Sequence, residues 1–163
     1  MAKKPLVAIL MGSDSDMPVM SEAAKFLDEN GIAYELKILS AHRSPDDVVK
    51  FSKSARGRGF KVIIAGAGAA AHLAGVIASH TTLPVIGVPM QTSELKGIDS
   101  LFSTVQMPSG VPVATVSIGR SGAKNAAILA LQILSLSDKA LENRLAKFKE
   151  GLVKAIREKN RRI

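Results

Sequence analysis

The sequence predicts a three-layer α/β/α domain built on a parallel five-stranded sheet, and three observations carry that prediction. Short apolar runs rich in β-branched residues recur five times, segments with helical spacing separate them, and two further helical segments follow the fifth run. Strands alternating with helices of this length need crossover connections, which are right-handed and leave parallel strands covered by helices on both faces.

The strand runs are Leu6–Met11, Tyr34–Leu39, Lys61–Ala65, Pro84–Val88 and Pro112–Ile118, each read as a buried strand. Between the first two lies Met17–Glu29, whose Met20, Ala23, Ala24 and Leu27 fall on one helical face. Pro45–Arg58 follows the second run, with Pro45 suited to a first helical turn and Ser44 to its cap. Ala70–Ser79 and a shorter stretch around Ile98–Val105 complete the alternation. A flavodoxin-like strand order, 2-1-3-4-5, is the expected arrangement. The segment Gly122–Leu136 is apolar around most of its circumference and is expected to be buried on several sides. From Asp138 to residue 163, Leu141, Leu145, Phe148, Leu152 and Ala155/Ile156 form one apolar stripe opposite Lys and Arg, an amphipathic docking helix. The two helices together favour a homo-oligomer.

A chain of 163 residues, 47% hydrophobic and 22% charged, fits one compact domain, residues 1–163, with 138–163 as its terminal helix. No stretch approaches a membrane span, and no secretory pattern opens the sequence, so a cytoplasmic protein without a membrane partner is expected. The absence of cysteine excludes disulfides, thiolate metal sites and a cysteine nucleophile. The formal charge is +8, but residues 138–163 hold nine Lys or Arg against four Asp or Glu. That leaves +5 in the last segment, a basic tail rather than a basic face. With one Tyr, five Phe and no Trp there is little for base stacking, and no nucleic-acid partner is expected.

Open parallel sheets bind ligands beyond the carboxyl ends of their strands. Three loops fall there side by side: Gly12-Ser13-Asp14-Ser15-Asp16, Ser40-Ala41-His42-Arg43-Ser44-Pro45, and Gly66-Ala67-Gly68-Ala69-Ala70-Ala71-His72. In the first, Gly12 permits close backbone approach, Ser13 and Ser15 stand at a helix start suited to an anionic oxygen, and Asp16 suits two sugar hydroxyls. Either Ser15 or Asp16 is alternatively an N-cap. In the second, Arg43 offers bidentate recognition of an anion, Ser40 stands beside it, and His42 exchanges protons near neutral pH. The third matches the letters of the dinucleotide fingerprint, but it follows the third strand and no acid lies about 20 residues on, so that reading is rejected. It remains a small-residue loop for a carboxylate or CO2, with His72 two residues into the helix that follows. His80 is read as structural.

Gly119-Arg120-Ser121-Gly122-Ala123-Lys124 has the wrong spacing for a P-loop, no metal-ligand spacing appears, and no G-x-S-x-G elbow is present. The residues alone therefore allow a cofactor-free acid/base reaction on a small phosphorylated, ribose-bearing molecule.

The three loops, together with Leu83-Pro84-Val85-Ile86-Gly87-Val88-Pro89 and Val105-Gln106-Met107-Pro108-Ser109-Gly110-Val111-Pro112-Val113, resemble class I PurE over nearly the whole chain. That family comprises the 5-(carboxyamino)imidazole ribonucleotide mutases of de novo purine (IMP) synthesis. The resemblance implies transfer of a carboxylate from the exocyclic nitrogen to ring carbon 4, by decarboxylation and recarboxylation, without metal or organic cofactor. It implies that His42 is the general acid/base, that Ser13, Asp16 and Arg43 bind substrate with Gly12, Ser15 and Ser40 beside them, and that Gly68, Ala69, Ala70, His72 and Leu73 surround the carboxylate and CO2. It implies an octamer. Met17, Ala69 and Ala74-Gly75-Val76 depart from the commonest family pattern, Ala69 standing where a second glycine is frequent. Class II relatives, which carboxylate aminoimidazole ribonucleotide directly, typically carry Lys where this chain has Arg43. Direct carboxylation and a non-catalytic nucleotide-binding module are the alternatives to the mutase.

Overall fold

The computed structural model describes residues 4–163. The strands β1 (Val7–Met11), β2 (Tyr34–Ile38), β3 (Val62–Ala67), β4 (Val85–Pro89) and β5 (Ala114–Thr115) form one parallel sheet in the order β2-β1-β3-β4-β5. Helices α1 (Met17–Glu29), α2 (Pro45–Arg58), α3 (Leu73–His80), α4 (Ile98–Val105), α5 (Arg120–Ser135) and α6 (Lys139–Asn160) connect and follow them. No helix among the described residues is long and apolar enough to cross a membrane. Two compact units make up the chain, one ending at Ala130 and the other spanning Leu131–Ile163.

In the first unit, β1 and β4 are buried along their whole length, as is all of β3 but its last residue, which is why these runs read as continuously apolar rather than alternating. Ala8, Leu10, Ile63, Ala65 and Val85 pack with Val48, Phe51 and Ala55 of α2 and with Leu73, Ala74 and Ile77 of α3. Each large side chain so buried contributes about 1.5–3 kcal/mol. On α1, Met20, Ala23, Ala24, Phe26 and Leu27 are buried, matching the expected stripe. Arg120, at the start of α5, reaches Glu22 of α1 at 2.8 Å. Gly59 closes α2 in the left-handed conformation, φ 101°, and Arg58 there lies 5.0 Å from the rings of both Phe51 and Phe60 while pairing with Glu35.

Four expectations are corrected. β2 is an edge strand with one neighbour, so its side chains are half-buried or exposed rather than buried. β5 is far shorter than Pro112–Ile118, because Pro112 has no N–H for a ladder and the segment has only β4 beside it. The chain still tracks β4, with the Val116 and Gly119 N–H groups donating to Gly87 and Pro89 carbonyls. α3 begins at Leu73, not Ala70, because residues 69–72 are taken up in tight turns, with the Ala71 and His72 N–H groups donating to the Ala69 and Ala70 carbonyls instead of entering a helical ladder. On α5 a single face of Ala123, Ala126, Ala127, Ala130, Leu131 and Leu134 is buried, while Ile128, Leu129 and Ile133 are half-exposed.

α6 is the amphipathic helix expected from the stripe, and Asp138 caps it by accepting from the Ala140 and Leu141 N–H groups at 2.9 and 3.1 Å. Of the stripe only Leu141 is buried; Leu152, Val153 and Ile156 are 49%, 49% and 57% exposed.

Gly87 in the middle of β4 explains how closely the helices approach the sheet. A Cβ there would lie 2.4 Å from Thr104 Cγ2 of α4 and 2.9 Å from Val113 Cγ1. Gly87→Ala is predicted to cost about 1–3 kcal/mol by overpacking, read as a lower chemical-denaturation midpoint with an unchanged slope. A midpoint equal to the parent's would refute this packing account.

Candidate active site

Hydrogen bonds continue the ladder past the strand ends and seat the loops above them. Leu39 N–H donates to Met11 O at 2.9 Å, Gly12 N–H to Gly66 O at 3.1 Å, and Met90 N–H to Ala67 O at 2.9 Å. The loops after β1, β2, β3 and β4 therefore stand in one row and enclose a cleft of about 610 Å³. Gly12, Ser13, Ser15, Asp16, Ser40, His42, Arg43, Gly68, Ala69, Ala70, His72 and Leu73 all line it.

The loop after β1 forms a short 3₁₀ turn over Asp14–Asp16. Ser13 caps this turn, accepting from Ser15 N–H at 3.4 Å, and the Asp14 carboxylate accepts from the same N–H at 3.0 Å. Asp16 stands at the N-cap position of α1 yet makes no side-chain cap bond, so capping does not account for its carboxylate. A Cβ on Gly12 would meet only Asp16 Oδ2, at 3.9 Å, so no neighbouring protein atom demands a glycine there.

The loop after β2 is tied by its serines. Ser44 precedes α2 as expected but makes no cap bond to the helix; its hydroxyl donates to Ser40 O at 3.2 Å and accepts from Ser40 N–H at 3.1 Å. Ser40 Oγ in turn accepts from Arg43 N–H at 3.1 Å. Arg43 Nη2 crosses to donate to Gly12 O at 3.0 Å, which fixes the guanidinium beside the first loop. A planar cation held this way keeps its remaining N–H groups for an anion.

His42 Nε2 lies 2.9 Å from His72 Nδ1, with the rings edge to face at 78° and 5.0 Å between centroids. One nitrogen of this pair must carry the hydrogen and the other accept it, so each ring constrains the tautomer of the other. His72 occupies the N-cap position of α3, rather than lying inside that helix as expected. Tight turns precede it, with Ala71 and His72 N–H groups donating to Ala69 and Ala70 carbonyls at 2.8 Å. Ala69 holds its left-handed φ without being glycine, a conformation that costs an ordinary residue about 1–2 kcal/mol. His80 lies apart, at the end of α3, with Nδ1 2.9 Å from Val76 O and Ser79 Oγ.

Sequence reasoning missed the fourth wall. Met90, Gln91, Thr92, Ser93 and Glu94, after β4, line the cleft as well. The strand order already implied it, since β4 adjoins β3, but this loop has no histidine or glycine run to draw attention. A Cβ on Gly68 would come within 3.3 Å of Met90 Cβ, so it is the fourth loop that keeps position 68 small. The Ser93 hydroxyl and its own backbone hold the exposed Glu94 carboxyl below its usual range.

A parallel sheet in the 2-1-3-4-5 order, with paired imidazoles, a guanidinium and a half-buried carboxylate at its carboxyl edge, defines a flavodoxin-like α/β protein with an acid–base cleft. The chain belongs to the family described as AIR carboxylase, whose sequence profile matches residues 6–155. It is 54% identical to the N5-carboxyaminoimidazole ribonucleotide mutase of Pyrococcus horikoshii over 99% of this chain and 90% of that protein. The Thermotoga maritima protein of the same name is 55% identical, over 98% and 92%. Among solved structures, Treponema denticola PurE superposes with a TM-score of 0.88 at 34% identity, covering 98% of both chains.

Burial raises the Asp16 pKa above its ordinary 3.8, and the nearby Asp14 adds to the rise; the backbone of Ser13 and Gly12 and the Arg43 charge offset part of it. A carboxyl that binds its proton more tightly when folded favours the folded state below the unfolded pKa and loses that contribution as pH rises through the folded pKa. Ionised Asp16 is therefore a cost at neutral pH. Asp16→Asn is predicted to raise the denaturation midpoint at roughly pH 7, with the difference closing as pH falls toward about 4. A variant no more stable than the parent near neutrality would contradict this.

Proposed function

We propose that this chain is a cytoplasmic mutase of purine synthesis that converts 5-(carboxyamino)imidazole ribonucleotide into 4-carboxy-5-aminoimidazole ribonucleotide, without a cofactor. The observation that carries the reading is the His42–His72 pair, hydrogen-bonded at 2.9 Å in the cleft that Arg43 and Asp16 also line. The names and full-length coverage of the relatives support the same substrate.

In this reading Arg43, with Ser13, Ser15 and the backbone of Gly12, holds an anionic group of the nucleotide, and Asp16 accepts from ribose hydroxyls. Ser40 keeps Arg43 in place through its two hydrogen bonds. The N–CO2 bond breaks as His42 delivers a proton to the aminoimidazole, giving free CO2 and a neutral amine. Ring carbon 4 then attacks CO2, and His42 takes the proton from that carbon as aromaticity returns. One proton is given and one recovered, so the imidazole ends as it began. Gly68, Ala69, Ala70 and Leu73 supply a small-residue pocket where CO2 waits, and His72 fixes the tautomer of His42.

The half-exposed residues of α5 and the uncovered Leu152, Val153 and Ile156 of α6 support a homo-oligomer, and the family resemblance points to an octamer. Light scattering after size exclusion should give eight times the 17.2 kDa chain mass; a monomer would overturn this part.

A metal-free, ATP-free assay with 5-(carboxyamino)imidazole ribonucleotide should yield the 4-carboxy product, and aminoimidazole ribonucleotide with bicarbonate should not. His42→Asn should lower kcat by about 10²–10⁴ while substrate still binds. Turnover within a few-fold of the parent would remove His42 from the chemistry. Product from the second substrate alone would replace the mutase by direct carboxylation, and turnover of neither would leave a nucleotide-binding module.

A further inference from the structure

The loop Met90–Gly97 lines the cleft through Met90–Glu94, yet after the buried Met90 the residues Gln91, Ser93, Glu94, Leu95 and Lys96 are all exposed, so little apolar burial holds that stretch in place. Its anchor is polar. The Thr92 hydroxyl donates to Asp99 Oδ1 at 2.8 Å and accepts from Gly97 N–H at 3.0 Å, so one side chain fastens the loop both to α4 and to its own far end. The chain makes this return through two consecutive left-handed residues, Lys96 at φ 56° and Gly97 at φ 94°. A Cβ on Gly97 would lie 2.9 Å from Met90 O, which shows how tightly the end of the loop closes on its start.

The same threonine faces the loop after β3. A Cβ on Gly68 would meet Thr92 Cγ2 at 3.8 Å and Met90 Cβ at 3.3 Å, so the methyl of Thr92 stands over Gly68 while its hydroxyl is held by Asp99. One turn further along α4, Ser103 Oγ lies 3.3 Å from Ala69 O, sharing its hydrogen with the nearer Asp99 O at 2.7 Å. A single face of α4 therefore touches both loops that bound the small-residue end of the cleft.

We propose that Asp99, acting through Thr92, is a positioning residue that holds the fourth loop against Gly68 and so retains CO2 between its release and its recapture. This rests on the decarboxylation and recarboxylation described above. CO2 is small and uncharged, so no ion pair or strong hydrogen bond holds it, and only closed walls keep it from water. Without the Asp99 acceptor, the exposed stretch Gln91–Lys96 loses its side-chain tie to α4, and the gap at Gly68 opens.

The test measures escape, which a purely structural role would leave unchanged. Unlabelled 5-(carboxyamino)imidazole ribonucleotide is converted in isotopically labelled bicarbonate, and the labelled fraction of the 4-carboxy product is compared with an enzyme-free control. The parent should give little label. Asp99→Ala, which removes one such hydrogen bond, should raise the labelled fraction by about threefold to tenfold, and the near-isosteric Thr92→Val, which removes that bond and the one from Gly97 N–H, by at least as much. Asp99→Asn, which keeps an acceptor, should stay near the parent. Thermal melts confirm folding, and Thr92→Val carries the test if Asp99→Ala does not fold. Unchanged label in a folded, active Thr92→Val overturns the clamp alone. Absence of any conversion by the parent overturns the mutase reading and the clamp with it.

Discussion

The cleft depends on the hydrogen bonds that run across the carboxyl ends of the strands. Met11 O, Gly66 O and Ala67 O accept from Leu39, Gly12 and Met90, so the ladder extends into the loops rather than stopping at the last strand residue. A loop whose first residue is locked to its neighbour's backbone has little freedom to move sideways. The side chains that follow within two to five residues inherit that precision. It is why His42 and His72, thirty positions apart in sequence, meet at 2.9 Å without any direct connection between β2 and β3.

Above that base the cleft is held together by contacts from one loop to the next, two of them polar. Arg43 reaches the carbonyl of Gly12, His42 reaches His72, and Thr92 overlies Gly68. Two costs are accepted for this arrangement. Asp16 is desolvated without a cap bond, and Ala69 is twisted into a left-handed conformation that glycine would take more easily. Strain and unfavourable burial gathered at one end of the sheet, while the core beneath is conventionally apolar, are the usual mark of a site kept for chemistry rather than for stability.

Leu131–Ile163 obeys a different logic. α6 is long, well capped by Asp138 and stripe-patterned, but Leu152, Val153 and Ile156 on it are about half exposed. Helical pattern announces that a face wants burial and says nothing of what supplies it. The same limit holds for Gly122–Leu136, whose nearly all-apolar pattern predicts burial on several sides, whereas one alanine-rich face is buried and the others are partly open.

Local rules determined a great deal here. The period of apolar residues marked α1 and α2 to the residue, and alternation of strand with helix, through the handedness of crossovers, indicated a parallel sheet with a row of loops at its carboxyl edge where His42, Arg43 and Asp16 stand. Those signals are legible because they depend on neighbours a few positions away. Tertiary structure alone decided that β2 is an exposed edge, that β5 shrinks to two paired residues, that α3 waits until Leu73, and that Ser44 binds Ser40 instead of capping its helix. It also decided that Met90–Glu94 line the cleft and that the Thr92 hydroxyl donates to Asp99. Each of these outcomes turns on a contact between residues from different elements, and no periodicity records which partner a hydroxyl, a carbonyl or a methyl will meet once the chain has closed on itself.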